Sequence, residues 1–506
     1  MKKWMKILCP VLAVLVAASA VTIALTRCKR EEEREIIWVN YGESKDIPCL
    51  QIPDAEFATT DDFRYILRKA NKVGISSDWG YLEKKIRQED KAIEGRYYGG
   101  GVYLTRYVDM TLERYNSFVG DMESQGFAVL AQSSLADNVY TTSLTYKECN
   151  YTVTYFAQTK TIDVTASEEN HLSPLLQKEN ASTKDGAVEG FSTTMTTWAH
   201  RDNGITYVFQ LPNGHYVISG GGVLWDFPNL LAYLEEHAPE GETPVVEAWF
   251  IDSGNYDLCN WIMGFVGTDR DLKYFPDLIE NPAKDRLAIN GLYYNMPGAD
   301  VIDSTAYTTH EKDGETYYSK TTNSWPTKIT QAATCMLTED GQVTPLYRPM
   351  SGQVYYFNGG LTVEVPMSQE QMDLSEYELE FKVSSNGLIF RYGETAFFDM
   401  GYMCEKNQDR MVELCGEEYF ADVDMLGVSY RGGRMYEKYR DVFTGSLVIY
   451  ATTKPHQLSG ESANVYNHYL EKEGVEVYTY ADGTLCYNFT TGEKTVEPAV
   501  QERPWR

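Results

Sequence analysis

The spacing of apolar side chains changes period several times along this chain. Residues 101–107 (GVYLTRY) form an extended run. Leu112, Tyr115, Val119 and Met122 then recur at helical spacing, with Thr111 placed to cap the first turn and Gly126-Phe127 placed to end it. Alternation at every second position resumes over 138–146, 151–159 and 161–165, which predicts three strands. This β-α-β-β-β order makes a small α+β domain over 96–165, with one helix laid across an antiparallel sheet.

A second rhythm begins near residue 196. Runs at 205–211 and 215–218 flank Pro212-Asn213-Gly214, a hairpin signal. Gly220, Gly221 and Gly222 follow, and then a helix over 228–237 with Leu230, Leu231 and Leu234 on one side. Residues 244–251 read as a buried strand. The pattern restarts with strands 353–357 and 361–365 around Asn358-Gly359-Gly360. Strands at 377–383, 387–392, 395–398, 424–428 and 446–450 come next, with a helix over 406–414. Two successive sets of strands, helix and strands predict a four-layer αββα sandwich over 196–495, an α/β class distinct from a parallel doubly wound sheet.

The rest of the chain is less informative. Residues 166–195 are polar and read as an exposed connection, 496–506 as a C-terminal tail, and 31–95 as a juxtamembrane spacer. That spacer contains a short strand at 36–39 and helical patterns near 61–67 and 81–93. At the N-terminus, Lys2, Lys3 and Lys6 precede an uncharged run over 7–26, closed by Arg27, Lys29 and Arg30. Segment 1–30 has three readings: a single-pass membrane anchor, a signal cleaved after Ala18-Ser19-Ala20, or lipidation at Cys28. All three place the bulk of the chain outside the cytoplasm.

Charge narrows the partners. There are 45 Lys plus Arg against 73 Asp plus Glu, a net charge of −28, and a field of that sign repels nucleic acid. The nine cysteines include no C-x-x-C pair and define no disulfide framework. With 38 tyrosines against 19 phenylalanines, many half-buried strand positions carry a polar tip.

Four segments carry candidate chemistry. Residues 211–221 (LPNGHYVISGG) end a strand pair at Ser219. Residues 248–258 (AWFIDSGNYDL) follow a buried strand with Asp252, Ser253, Asn255, Asp257 and Leu258. Residues 386–400 end in Asp399-Met400, and 424–432 (DMLGVSYRG) carry Tyr430 and Arg431. In order and spacing these segments resemble the metallo-β-lactamase fold, and most closely its competence-related, ComEC-like branch found in exported bacterial proteins. The resemblance implies an αββα sandwich, preceded in exported members by a small α+β domain. It also implies a two-metal centre at these four loops, and here the chain departs from the family. Ser219 stands in place of an aspartate; Ser253, Asn255 and Leu258 stand in place of histidines; Tyr430 and Arg431 replace a further histidine pair. Asp257 alone survives in the second segment, while Asp399 sits beside the metal-bridging aspartate position.

A catalytic zinc ion needs three ligands drawn from His, Asp, Glu or Cys, and a two-metal centre needs two such sets. Serine and asparagine are weak ligands and leucine is none. A guanidinium at Arg431 opposes a cation, and it either pairs with Asp257 or Asp399 or faces solvent. Asp252, Asn255, Asp257 and Asp399 lack the dense spacing of a calcium loop. No nucleotide-binding glycine motif follows a strand. His200, His215 and His237 read as structural or surface residues. The expectation is therefore a vestigial site formed by Ser219, Asp252, Ser253, Asn255, Asp257, Leu258, Asp399, Met400, Tyr430 and Arg431. The protein is then a membrane-anchored, extracytoplasmic pseudoenzyme with no metal and no cofactor, and an unknown protein or cell-envelope ligand as partner. The alternative is a hydrolase with unorthodox ligands.

Overall fold

The computed structural model describes residues 36–39, 47–50, 56–57, 95–99, 102–146, 149–167, 172–181, 186–200, 204–254, 256–267, 272–295, 307–312, 315–320, 325–372, 385–452 and 460–498. The chain divides into the units Met1–Asp54 and Ala55–Arg506. Within the first, Ile36–Val39 pairs antiparallel with Ile47–Leu50. The helical patterns near 61–67 and 81–93, the strand at 377–383 and the tail from 499 lie outside the described residues.

In the second unit, β1 (Val102–Val108) leads into α1 (Leu112–Ser124), followed by β2 (Ala128–Leu135), β3 (Val139–Tyr146), β4 (Cys149–Phe156) and β5 (Thr161–Ser167). The five strands pair antiparallel in the order β1-β5-β4-β3-β2, and Glu56–Phe57 and Gly95–Gly99 both pair with β1. The Thr111 hydroxyl accepts from the Arg114 amide at 3.2 Å, capping α1, and Tyr115, Phe118, Val119 and Met122 form its buried stripe. Pleating sends Thr142 of β3 to the helix, where its Oγ1 lies 2.6 Å from the Tyr115 hydroxyl. Thr141 and Ser143 point the other way, onto the second half of the chain. Thr141 and Thr154 donate to the Ser351 carbonyl, the Gln353 amide donates to Ser143, and the Gln371 amide donates to Asp163, itself paired with Arg106. This seam is buried and hydrogen-bonded, as buried polar groups must be.

The second half is built on two mixed sheets. One contains β6 (Thr194–Thr197), β7 (Thr206–Gln210), β8 (Tyr216–Gly220), β9 (Val245–Ile251), β10 (Leu292–Tyr294) and β11 (Leu346–Tyr347). It is antiparallel from β6 to β8 and parallel from β8 to β11. Between β8 and β9 runs α2 (Phe227–Glu236), and between β10 and β11 runs α3 (Trp325–Cys335). The other sheet has β12 (Val354–Tyr356), β13 (Leu361–Met367), β14 (Gly387–Tyr392), β15 (Thr395–Asp399), β16 (Met425–Gly427), β17 (Leu447–Tyr450) and β18 (Glu476–Thr479). It is antiparallel up to β15 and parallel beyond it, with α4 (Glu405–Cys415) after β15 and α5 (Glu461–Glu471) after β17. β19 (Thr484–Asn488) returns to the first sheet beside β6, and β20 (Lys494–Glu497) forms its exposed edge.

The sheets pack face to face. Phe209, Val217, Ala248 and Phe250 of the first meet Val363, Phe390, Phe397 and Ile449 of the second, with Phe209 and Phe390 stacked at 4.2 Å. Alternate residues point outward. Val208, Ile218, Val246 and Trp249 cover Leu230, Leu231 and Leu234 of α2. Ile389, Phe398, Leu426 and Val448 cover Met411 and Leu414 of α4 and Val465 and Tyr469 of α5. Both faces of β9 are covered, so all seven of its residues are buried.

Two expectations change here. The segment read as an exposed connection sends Leu172, Leu175 and Leu176 into the core between the sheets, because the Pro174–Leu176 turn, capped by the Ser173 hydroxyl, keeps Leu175 and Leu176 on the buried side while Pro174 faces out. The membrane-anchored reading is also corrected. Among the described residues no helix is long and apolar enough to cross a membrane. The longest described helix, α1, has 13 residues and spends its apolar stripe on the sheet. The run over 7–26 lies outside the described residues. The membrane partner, signal anchor and single-pass extracytoplasmic location are withdrawn with that reading.

Candidate functional site

A parallel strand delivers the residue after its last rung to the carboxyl edge of the sheet, and three of the singled-out segments end there. Ser219 is opposite Phe250 in the β8–β9 register, so Asp252 emerges just beyond it. In the facing sheet Asp399 closes β15. Ser219, Asp252 and Asp399 are each 2% exposed or less.

The contacts cross from sheet to sheet. The Ser219 hydroxyl donates to Asp399 Oδ2 at 2.6 Å, and the Gly401 amide donates to Asp399 Oδ1 at 2.9 Å. The Asn386 amide donates to the Asp252 carbonyl at 3.0 Å. Gly401 has φ of 50°, and a Cβ there would lie 1.9 Å from Asp252 Oδ2 and 2.8 Å from Ser385 Oγ. The Gly401 backbone therefore stands between the two carboxylates, and glycine is required by both conformation and space. Neither Asp252 carboxylate oxygen meets a partner with hydrogen-bond geometry.

Burial pushes the Asp252 carboxyl well above the usual carboxylate range, and the neighbouring Asp399 charge adds to the shift. The amides of Asp252 and Ser253 offset part of it. Burial likewise pushes Asp399 up to about 6, against the lowering effect of its Ser219 and Gly401 hydrogen bonds. The phenol of Tyr207 is raised first by burial and then by Asp399, and that of Tyr480 first by burial and then by Tyr478, with a smaller contribution from Asp399.

The remaining singled-out residues divide. Ser253 is fully buried, Leu258 joins the apolar core between the sheets, and Met400 joins the core beneath α4. The side chains of Asn255, Asp257, Tyr430 and Arg431 lie outside the described residues, and so does any pairing of Arg431 with Asp257 or Asp399. Among the described residues no group of three His, Cys, Asp or Glu side chains is placed to hold a metal ion. The described arrangement buries two carboxyl groups on either side of the Gly401 backbone, with Asp399 held by the Ser219 hydroxyl and the Gly401 amide.

Two buried histidine–carboxylate pairs escape a reading of the sequence. His200 Nε2 lies 2.6 Å from Thr206 Oγ1 and its Nδ1 lies 3.1 Å from Asp226 Oδ2. The ring is closed over by the triple glycine, where a Cβ on Gly222 would lie 2.1 Å from His200 Cε1. His215 Nδ1 lies 2.5 Å from Glu247 Oε1, and the Asn290 amide donates to the other oxygen of Glu247. Glu247 stands among apolar residues in β9, and that unexpected charge within a buried run is the signal that a partner was needed.

No family profile matches the sequence, and no curated protein does. Solved structures that it resembles include a long form RNase Z from yeast, at 9% identity and a TM-score of 0.33, covering 62% of this chain and 51% of that one. The chain thus spans about half the length of that protein. The likeness is a weak, distant structural similarity to a protein of the metallo-β-lactamase fold.

Proposed function

We propose that this chain has a metallo-β-lactamase-like sandwich whose catalytic centre has degenerated, and that it acts by binding or as a structural scaffold instead of by hydrolysis. The observation that carries this reading is the use made of Asp399. Both of its oxygens are committed to protein donors, Ser219 and the Gly401 amide. Leu258, at the level of a lost ligand, packs into the core instead of facing a cation. Catalysis by a metal in this position needs an open coordination site and basic ligands. Support for the fold assignment comes from two facing mixed sheets with helices outside, each turning from antiparallel to parallel pairing. The competence-related branch rests on the four sequence segments alone.

Elemental analysis of protein grown with zinc and manganese, together with β-lactam, phosphodiester and thioester assays, tests this reading. We expect substoichiometric metal and no turnover. One or two tightly held transition-metal ions per chain, with turnover abolished by a chelator, would overturn it.

A further inference from the structure

We infer that a chain of buried hydrogen bonds lets the small α+β domain set the carboxyl edge of the sandwich, coupling Asp163 to Glu370 through Gln371. Asp163 lies on β5 of the small sheet, where the Arg106 guanidinium grips its two oxygens at 2.7 and 2.6 Å. Its Oδ2 also accepts from the Gln371 carboxamide at 3.1 Å. Gln371 belongs to the turn after β13, and its Oε1 accepts from the Ser351 hydroxyl. Ser351 and Ser368 bond reciprocally: the Ser351 amide donates to Ser368 Oγ at 3.0 Å, and the Ser368 amide to Ser351 Oγ at 2.7 Å. The Ser368 hydroxyl lies 2.8 Å from Glu370 Oε2, which also accepts from the Asn295 side-chain amide at 3.0 Å. Arg348 Nε donates to the other oxygen of Glu370 at 3.0 Å. Asp163, Asn295, Ser351, Ser368, Glu370 and Gln371 are each 5% exposed or less.

Asn295 brings the far end of the chain to the candidate site. Ile251 and Tyr294 are register partners in the parallel β9–β10 pair, so Asp252 and Asn295 leave the sheet side by side. The Asn295 side chain also donates to the Pro349 carbonyl, which ties the end of β10 to the end of β11. The charges at the two ends fix the direction of every bond between them. An ionised carboxylate only accepts, and a hydroxyl has one proton to give. Gln371 Nε2 therefore faces Asp163, its Oε1 faces the serines, and Ser351 donates to it. The Ser368 proton then goes to Glu370. A neutral amide in place of Asp163 removes the constraint. Gln371 can turn over, which withdraws the acceptor from Ser351 and reorders the serine pair beside Glu370. In a buried, low-dielectric network such a change at one end is felt at the other. None of these residues stands at a former ligand position, so the coupling is independent of the binding or scaffold role.

The test is a double-mutant cycle on the full chain. Urea unfolding is measured for the native protein, Asp163→Asn, Glu370→Gln and the double variant, and again for the same set carrying Gln371→Met. We expect the double variant to lose less than the two single losses combined, by about fivefold or more in the folding equilibrium constant. That difference should vanish once Gln371→Met cuts the chain. Additive losses overturn the coupling. A difference that persists with Gln371→Met overturns the chain as its route, because direct interaction between the two charges then accounts for it. Hydrogen exchange gives a local reading. Asp163→Asn should quicken exchange at residues 292–295 relative to Thr111→Ala, which weakens the small domain without touching the chain. Equal exchange in those two variants overturns the proposal. Should Asp163→Asn or a combined variant not fold, Gln371→Met alone decides: quickened exchange at residues 292–295 supports the chain, and unchanged exchange overturns it.

Discussion

At the scale of single residues, the structure turns on a few side chains that share one place. Gly401 has a left-handed backbone and no room for a methyl group. Gly401→Ala should cost about 3 kcal/mol in urea unfolding, from strain plus displacement of Asp252, and a loss under about 0.5 kcal/mol would show that the Gly401 loop yields freely. The carboxyl pair sets the pH dependence. Asp399 has its folded-state value raised to about 6. Its full contribution is therefore present below the ordinary carboxyl value near 4 and is lost as pH rises through about 6. Asp252, raised further, extends the loss upward. A shift of this size for Asp399 corresponds to about 3 kcal/mol between acid and neutral pH. Urea midpoints measured from pH 4 upward should decline on that schedule, and midpoints rising toward pH 7 would contradict it.

At the scale of elements, helices were easier to read than connections. α1 begins after Thr111 and buries Tyr115, Val119 and Met122 as their spacing predicts, because a helix with one sheet to cover needs one apolar stripe. Thr111→Ala should cost about 1 kcal/mol in thermal unfolding, and no change would mean that water replaces the cap. The hairpin at Pro212-Asn213-Gly214 also forms, with Gly214 at φ of 83°. By contrast, the connection carrying Leu172, Leu175 and Leu176 plugs the core between the sheets, a role invisible in its polar composition. Leu175→Ala should cost about 2–4 kcal/mol, measured by urea unfolding, since the leucine is buried and its site has little room to collapse. A cost below about 1 kcal/mol would return the segment to a surface role.

At the scale of the whole molecule, the small α+β sheet and the paired sheets share a buried polar seam through Thr141, Ser143, Asp163, Ser351 and Gln371. Calorimetry of residues 55–506 should give one cooperative transition, and two separated transitions would show that the seam holds little energy. Local periodicity by itself determined part of the elements, while α3, α5 and β2 went unread: apolar spacing of two or near four residues marks which face of a strand or helix is buried, and turn residues mark where the chain reverses. The near-alternating β13 and the leucine stripe of α2 are cases in point. The missing histidines were also legible, because the absence of a ligand type is a property of composition and position. Only the tertiary structure decided that Ser219, 180 residues before Asp399, donates to it, and that Gly401 separates two carboxylates. It also decided that His200 and His215 are buried against acids. Such contacts depend on how two sheets meet at their carboxyl edges, and no spacing along the chain encodes that meeting. A buried charge is defined by what surrounds it in space, so its partner emerges only when distant segments are brought together.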